Sequence, residues 1–100
     1  MAAYLVGQIE IHDSAEYTKY LDGLFPLLSQ FDMEVLVADD NAQVVEGKWK
    51  TCRTVVIKFP SHEELRRWYD SPEYQAIIQH RFNSTTSNII AADGFVMPAA

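Results

Sequence analysis

The sequence predicts an α+β domain of order β-α-β-β-α-β, with four antiparallel strands and both helical crossovers on one face of the sheet. Three observations lead there. Asp13 with Glu16, and Ser61 with Glu64, have the spacing of capping boxes and mark two helix starts. Runs of β-rich or alternating apolar residues stand before and after each of them. The 100 residues, 48% hydrophobic, suit one core and no second domain. A single domain over residues 1–96 is expected, with a tail at 97–100 that Pro98 keeps out of regular structure.

Ala3 to Ile11 alternates, with Leu5, Gly7, Ile9 and Ile11 on one face and Tyr4, Val6, Gln8 and Glu10 on the other, as in a strand. After Asp13, the residues Tyr17, Tyr20, Leu21, Leu24, Leu28 and Phe31 recur at helical spacing. Pro26 lies inside that pattern, lacks an amide N–H and clashes with the preceding turn, so the helix should kink or restart there. Glu34 to Ala38 reads as a second strand, Asp39-Asp40-Asn41 as a turn, and Val44-Val45 as an extended continuation before Gly47. Cys52 to Phe59 is the most apolar run and is expected at the centre of the sheet.

The second helix carries Leu65, Trp68 and Tyr69 on one face. Ser71 then suits an N-cap and Pro72 a first helical position, so a further helical segment should start here and turn Tyr74, Ile77, Ile78 and Phe82 inward. Polar residues from Ser84 are expected to end it. Asn88 to Ala92 reads as a short last strand, closed by an Asp93-Gly94 turn.

This order is the split unit of a ferredoxin-like fold, which leaves the second sheet face bare. Tyr4, Val6 and alternate residues of the third strand would lie on it, and the simplest cover is a second copy packed sheet to sheet, giving a homodimer.

Several functions are disfavoured. Eight basic against fourteen acidic residues give a net charge of −6, the wrong sign for a nucleic-acid binder. The N-terminus lacks the basic region and apolar run of a signal peptide or membrane span, so a chain without membrane association is expected. Cys52 is the only cysteine and fits a reducing, cytoplasmic setting. Scattered glycines exclude a phosphate-binding loop. His12, His62 and His80 form no metal-binding pattern, so no metal or cofactor is expected, although a helical His80 keeps axial haem ligation open as an alternative.

The informative oddity is Arg81, a permanent cation at helical spacing among Ile77, Ile78 and Phe82. It either reaches solvent or a structural carboxylate, or meets an anionic ligand. Glu46 is the candidate partner. Glu46, Trp49, Arg53 and Arg81 could form the polar end of an apolar cavity, with two cations against one carboxylate favouring a carboxylate-bearing ligand. Tyr74 would donate a hydrogen bond there, and Ser71 would set the helix start that orients it.

The segments YLVGQIEIHD, VVEGKW, RTVVIKFPS and WYDSPEYQ, followed by Arg81 and Asp93-Gly94, resemble the DUF1330 family in order and spacing. The resemblance spans nearly the whole chain and is most specific in WYDSPEYQ. It implies a protomer of the dimeric α/β-barrel type, and it marks Glu46, Arg53, Ser71, Tyr74 and Arg81 as recurring polar positions. The chain departs from the family pattern at Phe31-Asp32-Met33, where relatives tend to have Gly-Gly, and at Asp93-Gly94, where they often have Glu-Gly. No reaction is implied, since the wider superfamily includes cofactor-independent oxygenases, haem enzymes, isomerases and ligand binders. The leading expectation is a homodimer binding a small organic molecule between sheet and helices. The alternatives are a cofactor-independent monooxygenase or isomerase acting on a small aromatic or carbonyl substrate, and a structural or regulatory module without turnover.

Overall fold

The computed structural model describes residues 1–99. Its elements run β1 (Ala3–Ile11), α1 (Ser14–Leu24), a 3-10 turn (Phe25–Ser29), β2 (Glu34–Asp39), β3 (Arg53–Phe59), α2 (His62–Tyr69), α3 (Pro72–Gln75), α4 (Ile78–Ser84) and β4 (Thr85–Asp93). The strands form one antiparallel sheet in the order β2-β3-β1-β4, the ferredoxin-like arrangement, with the helices on one face.

The helix starts follow local chemistry. The Glu16 amide donates to Asp13 Oδ1 at 3.1 Å and the Glu64 amide to Ser61 Oγ at 3.1 Å, each satisfying an orphan N–H of the first turn. Pro26 stops α1 by forcing the tighter 3-10 turn, in which Leu27 still reaches the core. Gly23 lies where α1 meets the start of α4: a Cβ there would stand 2.5 Å from Ile77 Cγ2, so this crossing needs a residue without a side chain.

Alternation in β1 buries Ala3, Leu5, Gly7 and Ile9 under the helices. Ile57 and Phe59 of β3, Tyr17, Tyr20 and Leu24 of α1, Leu65 and Trp68 of α2, Tyr74 and Ile78 complete the packing. The register Val6↔Val56 and Val6↔Ile90 puts Tyr4, Val6, Val56 and Ile90 together on the opposite face, which carries no helix. Val37, opposite Val56, joins them.

Four expectations need correction. The sheet is not closed into a barrel: β2 and β4 are its two edges and do not pair, and four strands are about half the number that closes even a small barrel. The extended run at Val44-Val45 is not a strand, because β2 ends at Asp39, whose carboxylate accepts from the Asn41 amide at 2.7 Å and turns the chain. β4 starts at Thr85 rather than Asn88, since pairing of Ile11 with Thr85 and Glu10 with Thr86 draws its polar first half into the ladder. Phe82 is 53% exposed rather than inward, because the helical segment breaks between Gln75 and Ile78 and shifts the phase of later residues.

The sequence-expected tail has no regular structure over residues 97–99, and Ala100 lies outside the described residues. No helix among the described residues is long and apolar enough to cross a membrane.

Two surface carboxylates link the elements. Glu16 accepts from His80 Nδ1 at 2.6 Å, joining α1 to α4, and the His80 bond holds its carboxyl below the ordinary range. Glu64 accepts from Arg67 at 2.7 and 2.8 Å and from the Asp32 amide at 3.0 Å, and Arg67 foremost lowers its carboxyl too. A carboxyl depressed in the folded state contributes stability above its unfolded pKa and loses it as pH falls through the folded one. The thermal midpoint should therefore drop as pH falls below about 4.5, with a shallower slope in Glu64→Gln. Identical slopes for the two proteins in melting curves from about pH 6 to about pH 3 would contradict this assignment.

Candidate functional site

A cavity of about 80 Å³ lies between the helix-bearing sheet face and the helices. Its apolar walls include Leu5, Ile9, Leu24, Val55 and Ile57, while Phe25 and Val35, both exposed, mark its outer rim. The aromatic wall is Tyr17, Tyr20, Trp68, Tyr69 and Tyr74, and the cationic residues are Arg53 and Arg81.

Ser71 sets this wall. Its hydroxyl accepts from the Tyr74 amide at 3.1 Å and donates to the Trp68 carbonyl at 2.7 Å, so a single oxygen closes α2 and opens α3. Pro72 at the first helical position fits the cap geometry. This joint packs Trp68 against Tyr74 with ring centroids 4.1 Å apart and planes tilted by 40°, and Trp68 also packs 5.5 Å from Phe59. Ser71→Ala should cost about 1 kcal/mol from loss of the cap, with a further loss from the unpaired buried amide. A urea midpoint equal to that of the parent protein would show that the cap does not hold the joint.

Arg81 is 4% exposed, yet no carboxylate among the described residues lies within ion-pair distance of its guanidinium. Its Nε is buried without a hydrogen-bond partner. Its nearest compensation is aromatic: the guanidinium carbon sits 5.0 Å from the Phe82 ring centroid, and the Tyr74 hydroxyl lies beside it. Tyr74 and Tyr20 share a hydroxyl–hydroxyl hydrogen bond of 2.8 Å. Burial pushes both phenols above their ordinary value, Tyr20 strongly, while the charge of Arg81 pulls Tyr74 back only in part. Both are neutral hydroxyls at neutral pH.

Arg53 is balanced differently. Its Nη1 donates to both carboxylate oxygens of Asp40, at 3.0 and 3.1 Å, while its Nε is buried and unpartnered. The indole N–H of Trp68 is likewise buried without a partner. The lining therefore offers N–H donors, and among the described residues no carboxylate or imidazole belongs to it.

Of the residues expected at the site, Arg53, Tyr74 and Arg81 come together, and Ser71 stands behind them. Glu46 and Trp49 do not join them. They lie in the long connection between β2 and β3 and border a separate depression with Val44, Val45 and Thr54. The physical reason is the early end of β2: without a strand through Val45, no hairpin carries Glu46 back toward Arg81. A different carboxylate, Asp40, reaches the other cation, Arg53. The register could have signalled it, since Asp39 opposes Thr54 and the next residue outward faces Arg53. Trp68 and Tyr20, which the sequence showed only at helical spacing, line the cavity as well. His80 is bonded to Glu16 and does not line the cavity, which leaves it unsuited to a ligand held there.

The profile of a domain of unknown function, DUF1330, matches residues 2–95. The chain belongs to this family. No functionally curated protein matches the chain. Among solved structures, RPA0582 of Rhodopseudomonas palustris, a protein of unknown function, superposes with a TM-score of 0.80 at 12% identity, covering 96% of this chain and 84% of that one. SnoaB, a cofactor-independent oxygenase from Streptomyces nogalater, gives a TM-score of 0.64 at 13% identity, with 96% and 95% covered. A dimeric ferredoxin-like protein of unknown function from Jannaschia sp. CCS1 gives 0.69 at 10% identity, with 94% and 100% covered. At such identities the likeness is one of fold. This DUF1330 chain shares its backbone with proteins of several kinds, and its own function has to be argued from its cavity.

Proposed function

We propose that this DUF1330 protein binds a small organic anion in the cavity between sheet and helices. The observation that carries the reading is Arg81, a buried guanidinium with no carboxylate partner beside unfilled space. A lone buried cation costs several kcal/mol in desolvation, and a bound anion offsets that cost. Two unpartnered N–H groups, Arg53 Nε and Trp68 Nε1, belong to the same wall and suit an acceptor. With Tyr20 donating to Tyr74, the Tyr74 hydrogen is free to point at the ligand.

Binding is favoured over cofactor-free turnover by the same lining. Base-initiated oxygenation or isomerisation needs a proton acceptor, and here that role would fall to a phenol whose ionisation burial opposes. Calorimetric titration with propionate and with propionamide tests the reading. Propionate should bind at least tenfold more tightly, and Arg81→Gln should remove the preference. Equal affinity for acid and amide would reject an anion site.

We propose separately that the protein is a homodimer paired through the bare sheet face. Tyr4, Val6, Val37, Val56 and Ile90 form an apolar strip there, with Ile90 63% exposed, and the related Jannaschia protein is described as dimeric. Such a strip is a liability for a lone chain and self-complementary for a pair. Val56→Lys should give a monomer by sedimentation with an unchanged far-ultraviolet spectrum. A mass unchanged from the parent dimer would place the interface elsewhere.

A further inference from the structure

Resting on the anion-site reading, we infer that the ligand is a short-chain monocarboxylate, with about three or four carbons in all. Two independent features of the cavity set this class, its charge and its size.

The charge count comes first. Of the two guanidinium groups in the lining, Arg53 is already neutralised by Asp40, whose two oxygens both accept from Nη1. Only Arg81 is left without a counter-ion. The site therefore has one positive charge to match, and a second carboxylate would enter a buried apolar space with nothing to pair it. A dianion could be held only by prising Arg53 away from Asp40. One planar carboxylate, by contrast, can take the Arg81 fork and the Tyr74 hydroxyl together.

Size then limits the body of the ligand. The cavity holds about 80 Å³, roughly half the ~150 Å³ of an engineered protein cavity that takes up benzene. An aromatic ring does not fit without movement of the walls. The cavity's buried walls are Leu5, Ile9, Leu24 and Ile57, together with the Trp68 and Tyr74 ring pair, while Phe25 and Val35 leave the rim exposed. Buried walls of this kind resist expansion, so the enclosed space for carbon beyond the carboxylate ends after about two or three methylene-sized groups, and a longer chain passes the rim into solvent. The apolar walls make that carbon favourable up to the limit, and carbon past it stays in water and adds nothing.

A homologous series measures both features. Acetate, propionate, butyrate, hexanoate, benzoate and succinate would be titrated into the protein by calorimetry. Affinity should rise about fourfold per added methylene from acetate to butyrate, as expected for burial of a CH₂. Hexanoate should gain nothing over butyrate, and benzoate and succinate should each bind at least tenfold more weakly. Leu21→Ala, which removes a half-buried part of the wall, should move the optimum to a longer chain. Hexanoate or benzoate binding more tightly than butyrate would overturn the size class and leave the anion site standing. Succinate binding as tightly as butyrate would overturn the single-charge assignment. Equal affinity of Arg81→Gln and the parent protein for every acid would instead reject the anion site on which this inference rests.

Discussion

Trp68→Ala should destabilise the protein by about 3–5 kcal/mol, the largest single-residue effect expected in this chain. Trp68 is 1% exposed and touches three rings, with centroids 4.1 Å to Tyr74, 5.5 Å to Phe59 and 6.0 Å to Tyr69. Removing it hollows the packing between α2, α3 and β3 at once. A domain of this length has a total stability of about 5–15 kcal/mol, so the loss is a third or more of the whole in the typical case. At about 4–8 °C per kcal/mol, the thermal midpoint should fall by more than ten degrees.

Trp68→Phe separates packing from polarity. The indole N–H is buried without a partner, and an unsatisfied donor costs about 1–3 kcal/mol. Phenylalanine gives up contact area but also removes that donor, so its cost should be less than half that of alanine. Urea unfolding with unchanged m-values would measure both differences. A loss below about 1 kcal/mol for Trp68→Ala would mean that this stack does not hold the helical layer to the sheet.

What could be read from the chain beforehand divides by the range of the interaction. Asp13, Ser61 and Ser71 cap helices through contacts three residues away, and each was legible because partner and signal lie in one short segment. The face of β1 was legible for the same reason, since a period of two is written into nine consecutive residues. The start of β4 was not: Thr85 to Ser87 are polar, and only their ladder with β1 makes them a strand. Arg81, left open between solvent, a structural carboxylate and an anionic ligand, is buried, while Phe82 was misplaced because the break after Gln75 resets the helical phase. Glu46 was credited with a role that depended on a hairpin, and the hairpin depended on where β2 stops. Tertiary pairing decides that, so Glu46 stays away from Arg81, while Asp40 pairs with Arg53.

Replacing Arg81 by methionine should raise stability by about 1–2 kcal/mol while lowering affinity for a small carboxylate at least tenfold. The two signs follow from one cause. Methionine keeps the length and apolar stem of arginine, so packing within the aromatic cavity wall is largely retained. What it removes is a charge that the fold has desolvated and not paired. Part of the gain is offset by loss of the contact with the Phe82 ring, worth about 0.5–2 kcal/mol. Arg81→Lys makes the complementary test: it keeps the charge but loses the planar fork, so it should retain a weak carboxylate preference. Added propionate should raise the midpoint of the parent protein through mass action and leave that of Arg81→Met unmoved. Had Arg81 been a structural ion-pair partner, methionine would instead cost about 3–5 kcal/mol by stranding a buried carboxylate. A midpoint lowered to that degree would assign the residue to the architecture, and a raised midpoint with lost binding would assign it to the ligand.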